Sequence, residues 1–313
     1  MAKVKKQRSC MGLLLRAVII IVIIAAVLLG GFWAFFQFGY GINVFDVIGK
    51  LQALNSKVDD TKLLNYDKDA DLAAFADVFN ASGLNWGSYF DNNFEVDTTG
   101  GTDYGTLTSD LKITGPQMAA FINSYLSSAA GQAAELQGES LSDMGLELWC
   151  INFGEVADNV NPITGETHQT MVLNVVFSID LSFLKDQFNV FPLTLFNGLI
   201  PAKLYINSTT VIEKTGALTD SGDIYTVSSQ SVRINNLSAN DTLSAAGIIN
   251  KFTAFDIEDL NTQIGQMFAD LIIGGSGTSG TAGGGFAYSL VPVGAADFAF
   301  EQDGGGSYLV VKI

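Results

Sequence analysis

Gly275, Gly277 and Gly280 fall at the G-x-G-x-x-G spacing that cradles a dinucleotide pyrophosphate. That chemistry needs a strand before the glycines and a helix N-terminus after them to receive the phosphate charge. Here the helical pattern of Ile257 to Ile272 precedes them and more glycine follows, so the stretch reads as a flexible loop, 274–285. No Gly-Lys-Ser/Thr occurs, which leaves out a Walker phosphate loop. His168 is the single histidine and sits after Glu166 in GEVADNVNPITGETHQ, a polar stretch expected to be an exposed loop. Metal sites with several histidines, and Ser–His–Asp or Cys–His nucleophiles, would depend on that one residue. Glu155, Asp158 and Glu166 share the stretch and offer the paired carboxylates of glycoside hydrolysis, yet among 32 Asp and Glu such neighbours arise by chance. Asp67-Lys68-Asp69-Ala70-Asp71 matches the opening of a calcium loop. Its sixth position, which needs Gly, is Leu72, and its twelfth, which needs Glu, is Val78. The expectation is no enzyme, no cofactor and no metal.

The two cysteines add little chemistry. Cys10 precedes the apolar stretch described next and offers a thiol for acylation, whereas Cys150 lies in LELWCINF, where it reads as a buried small hydrophobe. Four Asn-x-Ser/Thr sequons, at Asn80, Asn207, Asn236 and Asn240, are acceptors only in a source that glycosylates them.

All of these residues hang on Ala17 to Phe38, AVIIIVIIAAVLLGGFWAFFQF. It carries no charge, and as a helix it is long enough to cross the roughly 30 Å hydrocarbon core of a bilayer. A cleaved signal would stop at a small-x-small site, but this run continues through Phe32, Trp33, Phe35 and Phe36. Lys3, Lys5, Lys6, Arg8 and Arg16 crowd the tail 1–16, so the positive-inside rule places that tail in the cytoplasm and the rest outside the plasma membrane. The 11 Lys and Arg that follow the stretch face all 32 Asp and Glu, a balance of −21. A field of that sign repels phosphate backbones, so nucleic acid is not an expected partner; the membrane is one, through the helix.

The remaining elements must come from periodicity. Residues 39–97 read as a helical stalk or linker region, with Val44, Val47, Ile48, Leu51 and Leu54 on one stripe and Leu72, Phe75, Ala76 and Phe79 on another. Residues 98–313 read as an extracytoplasmic α+β domain. TLTSDLKIT alternates as a strand, and Thr114 with Gln117 and Pro116 opens a helix faced by Met118, Phe121, Ile122, Tyr125 and Leu126. From Met171 every second residue is apolar through Leu173, Val175, Phe177, Ile179, Leu181 and Phe183, with Asn174, Ser178 and Asp180 expected on a wet face. A strand that long implies a curved antiparallel sheet packed on helices. KLYINSTTVIEK and DIYTVSSQSVRINNL continue the meander, helices follow at 243–252 and 257–272, and a C-terminal hairpin turns at Gln302 to Gly306.

The order TLTSDLKIT, GPQMAAFINSYL, MVLNVVFSIDLSF, FPLTLFNGLIPAKLYINSTTVI and DIEDLNTQIGQMFADLI resembles the membrane-anchored bacterial proteins related to tubular lipid-binding (TULIP-like) domains. The resemblance covers about 105–272 and is one of layout. It implies long strands wrapped round a helix, leaving an apolar groove for acyl chains along Met118, Phe121, Ile122 and Tyr125 or Leu173, Val175, Phe177 and Ile179. Two functions are therefore expected from the sequence: an interaction or scaffolding ectodomain of the cell envelope with a protein partner, or a domain that binds a lipid or other apolar ligand.

Overall fold

The computed structural model describes residues 44–92, 94, 96–97, 99–128, 135–136, 139–140, 145–160, 165–180, 201–250, 257–274 and 285–313. The basic tail 1–16, the expected membrane span 17–38, the end of the long strand at Leu181 and Phe183, and the glycines 275–284 lie outside these residues. Among the described residues no helix is long and apolar enough to cross a membrane.

Helices come first. Val44–Asn55 (α1) leads through a 3-10 turn at Asp60–Lys62 to Lys68–Ala81 (α2) and Trp86–Asp91 (α3). The acidic run at 67–71 is a helix start: the Asp67 carboxylate accepts from the backbone N–H groups of Asp69 and Ala70 at 3.1 and 2.9 Å. That satisfies donors every helix leaves unpaired. Residues 50–97 are not set apart as a stalk, because Leu54, Phe75, Phe79, Leu84, Tyr89 and Phe94 belong to the same buried cluster as the sheet.

Only Leu111–Thr114 (β1) of TLTSDLKIT is a strand; upstream, Leu107 N–H donates to Val293 O and Thr108 N–H to Ser82 O, so that segment is fixed by loops. Gly115–Ser127 (α4) then opens on the expected capping box, with Gln117 Oε1 accepting from Thr114 N–H at 2.9 Å and Thr114 Oγ1 from Gln117 N–H at 3.3 Å. Glu135–Leu136 (β2) and Glu139–Ser140 (β3) form a small ladder. Glu147–Val160 (β4), Thr167–Asp180 (β5), Lys203–Lys214 (β6) and Tyr225–Ile234 (β7) form an antiparallel sheet in that order. Ala239–Asn250 (α5) and Ile257–Ile272 (α6) follow, then Phe286–Ser289 (α7), a 3-10 turn at Val291–Val293, and the hairpin of Asp297–Asp303 (β8) and Gly306–Lys312 (β9). β9 pairs with both β1 and β8, so a second sheet runs β1-β9-β8. The fold is α+β with curved antiparallel sheets and helices.

Alternation sets the inner face of the large sheet: Met171, Leu173, Val175, Phe177 and Ile179 of β5 are buried beside Leu204, Ile206 and Ile212 of β6. α6 lies over β6 and β7, and β8 meets the sheet where β4 bulges, between Phe153 and Val156. There Gln302 Oε1 accepts from Val156 N–H and Gln169 Oε1 from Phe300 N–H, each at 3.2 Å, joining the two sheets through their backbones. A second bulge, between Leu148 and Cys150, breaks the alternation of the strand, so Leu148, Ile151 and Phe153 are the buried residues and Cys150, expected to be buried, is half-buried. Trp149 turns to the other face and its indole N–H donates to Ser178 Oγ at 2.9 Å. Ser178, expected on a wet face, is consequently buried. The β4 edge is covered rather than free: Asn65 Nδ2 donates to Ile151 O at 2.9 Å, and Tyr66 OH and Asn123 Nδ2 both donate to Leu148 O.

Candidate functional site

The two apolar rows that sequence singles out occupy different parts of one core. Met118, Phe121 and Ile122 of α4 are buried and Tyr125 is half-buried. The Phe121 ring has the rings of Phe75, Phe286 and Phe94 at 4.9, 5.0 and 5.3 Å between centroids, and Tyr125 meets Phe94 at 5.7 Å. Such separations suit offset and edge-to-face pairs. Leu173, Val175, Phe177 and Ile179 lie on the inner face of β5, and Phe177 meets Phe268 of α6 at 5.5 Å. Both rows thus have protein partners against them.

The candidate carboxylates are spread out along a hairpin. Glu155 and Asp158 are exposed on β4, and Glu166 is exposed in the turn. His168 is half-buried on β5 instead of in a loop, with Nδ1 3.0 Å from Glu213 Oε1 of β6. The hairpin loop is shorter than GEVADNVNPITGETHQ suggests because both strands run on past the core, where neither face needs apolar residues. Among the described residues no three His, Cys, Asp or Glu converge as a metal site.

Burial favours the neutral forms of Tyr66, Cys150 and Tyr225. It pushes the Tyr66 phenol up to about 12 and the Cys150 thiol up to about 11. It also raises Tyr225, whose OH donates to Asp270, with the nearby Asp270 charge acting in the same direction. A thiol so shifted is a poor nucleophile.

Sequence reasoning passed over a buried polar group with four hydrogen bonds. Asn261 of α6 is wholly buried; its Oδ1 accepts from Ser208 Oγ at 2.7 Å, and its Nδ2 donates to Thr209 O, Ser231 O and Ser229 Oγ at 2.9 to 3.0 Å. One turn on, Gly265 lets the helix approach, since a Cβ there would lie 2.5 Å from Thr210 Cγ2. The signal was present: Asn261 and Gly265 stand four apart within the stripe Ile257, Leu260, Ile264 and Phe268.

The outer face of the large sheet is different in kind. Paired in register, Asn152, Asn174 and Thr209 cross β4 to β6, with Asn207 and Ser228 beside them. Asn174 Nδ2 donates to Thr209 Oγ1 at 3.1 Å and Asn207 Oδ1 at 3.3 Å, while Asn152 and Ser228 are exposed. The middle of this face sets amides and hydroxyls beside Val172, Val176 and Val211, with Arg233 opposite Asn207; it ends in the Trp149 and Tyr205 rings, 5.8 Å apart. The sequence signal was the polar half of each alternation, read only as solvated surface.

Comparison with protein-family models, with curated proteins and with solved structures finds no match.

Proposed function

We propose that this chain is a membrane-tethered, extracytoplasmic protein of the cell envelope whose folded domain is an interaction or scaffolding module without chemistry of its own. The observation that carries it is the filling of both apolar rows by the chain's own side chains, Phe121 among Phe75, Phe94 and Phe286, and Phe177 under Phe268. A tubular lipid-binding domain keeps such rows open to acyl chains; filled rows favour recognition at the surface. The outer face of Asn152, Asn174, Asn207, Thr209 and Ser228 is the surface we assign to the partner. The tether and its direction follow from the uncharged stretch 17–38 and the five basic residues before it.

Photo-crosslinking amino acids at the exposed positions 152 and 228, in intact cells, test this. Recovery of one and the same envelope protein or wall polymer from both supports the reading. Recovery of nothing, or a lipid co-purifying in stoichiometric amount with the detergent-extracted chain in native mass spectrometry, overturns it. Protease added to intact cells or spheroplasts is expected to digest the domain, and protection until permeabilisation would reverse the topology.

A further inference from the structure

The described residues that follow the expected membrane span most closely in sequence are tied to the rest of the domain by side-chain hydrogen bonds. Asn235, at the left-handed φ of 49° just after β7, accepts Tyr205 N–H on its Oδ1 at 2.7 Å and donates Nδ2 to Leu54 O at 2.5 Å. Asn236 Nδ2 donates to Ser56 Oγ and Ser56 O at 2.7 and 3.1 Å. These bonds tie the C-terminal end of α1 to the end of the large sheet. Further back along α1, Lys50 Nζ donates to Ser244 Oγ of α5 at 3.0 Å. Residue numbers fall along α1 from Leu54 to Lys50 as they rise from Asn235 to Ser244, so the two helices run antiparallel where they meet.

The chain before α1 fixes how far that pair can stand from the bilayer. Between Phe38 and Val44 there are five residues, which extended span at most about 18 Å. α1 itself is about 18 Å long and is bonded to the domain through Lys50, Leu54 and Ser56. Little slack remains for a stalk. Charge agrees: α1 and α5 together contain Asp46, Lys50 and Asp241, a balance of −1 in a part of the chain that carries −21. An acidic domain approaches anionic head groups at lowest cost through such a patch. On α5, Leu243 is 41% exposed, a large apolar side chain at the surface of this pair.

Resting on the proposed tether, we infer that the antiparallel pair of α1 and α5 is the membrane-contacting face of the domain. Leu243 sits at the head-group layer of the bilayer that holds the anchor. The large sheet then stands away from the membrane, and the β4–β5 hairpin, whose Val160 is 57% exposed, is its distal end, about 40 Å along β4 from the clamp.

The test uses the full chain carrying Cys10→Ser, in phosphatidylcholine vesicles containing nitroxide head-group lipid. Leu243→Cys or Val160→Cys is labelled with a bimane at pH 7, where the half-buried Cys150 stays protonated. Both changes are on exposed side chains, so folding is retained. The expected result is quenching at position 243 roughly threefold or more greater than at position 160, as for a residue in the interfacial layer. Equal quenching at the two positions, weak or strong, overturns the inference. Alkaline carbonate extraction of the same vesicles separates the two proposals: a chain that remains in the membrane yet shows equal quenching refutes the seating alone. A chain released by carbonate refutes the tether.

Discussion

Asn261 and Gly265 do together what neither does alone. The amide fills the hydrogen-bonding needs of the register shift between Thr209 and Thr210, where β7 bulges against β6, and the missing side chain lets α6 come close enough for it to reach. Gly265→Ala drives a methyl into Thr210 and Val227, both part of the packed sheet, and is expected to cost about 1–3 kcal/mol of unfolding free energy. Asn261→Leu leaves Ser208 and Ser229 without their buried partner and is expected to cost a similar amount, about 1–3 kcal/mol. Urea unfolding measures both. A double variant no less stable than either single variant would show that the two act as one device; strict additivity would show that they do not. Cys150 gives a second residue-level prediction. With its thiol raised to about 11, its reaction with an aromatic disulfide at pH 8 is expected to be roughly a hundredfold slower than in unfolded chain, and a rate equal to the unfolded one would show that it is not buried as described.

Elements were legible where one local pattern decides them. The capping box of Thr114 and Gln117, the stripe of α6 and the apolar row Met171 to Ile179 of β5 each carry their own signal, and each appears where it was read; the polar row of β5 does not, since Ser178 is buried. What sequence hid was set by distant partners. A bulge at Trp149 shifts one residue and thereby exchanges the faces of β4, a change that no alternation in a strand apolar on both sides can reveal. His168 reads as loop because its strand has left the core, and α2 reads as linker because a stripe does not say what will cover it. The candidate site was likewise half legible: Phe121 and Phe177 were readable as apolar, their occupation by Phe75 and Phe268 was not. The glycine run gives a test at this scale. Gly274 and Gly285 meet backbone to backbone, a Cβ on Gly285 falling 2.4 Å from Gly274 N, so the ends of 275–284 are already together. Replacing those ten residues by Gly-Ser is expected to leave the thermal midpoint unchanged or slightly raised, since a shorter closed loop loses less entropy, by about 1 kcal/mol. A fall of several degrees would mean that the run itself contributes to the fold.

At the scale of the whole molecule, three ionisable groups shifted by burial point one way. Tyr66, Tyr225 and Cys150 all have folded values raised above their ordinary ones, chiefly by burial. A group raised in this way holds its proton longer in the folded chain than in the unfolded chain. Stability is therefore intact below the unfolded value, near 9 for the thiol and 10 for the phenols, and falls as pH climbs from there through the folded values. Lys112 and Lys203, raised by Asp303 and Glu147, lose their ion pairs in the same direction as they deprotonate. A domain with 32 carboxylates gains further negative charge there, which adds self-repulsion. The prediction is a stability plateau through neutral pH and a steep loss above about pH 10, followed by urea midpoints between pH 8 and 11.5. Tyr225→Phe removes one of the titrating groups together with its bond to Asp270. It is expected to lower stability at pH 8 yet flatten the alkaline decline, whereas added salt relieves only the repulsive share. A Tyr225→Phe decline parallel to that of the parent would assign the alkaline loss to charge repulsion and ion pairs and remove the Tyr225 phenol from it.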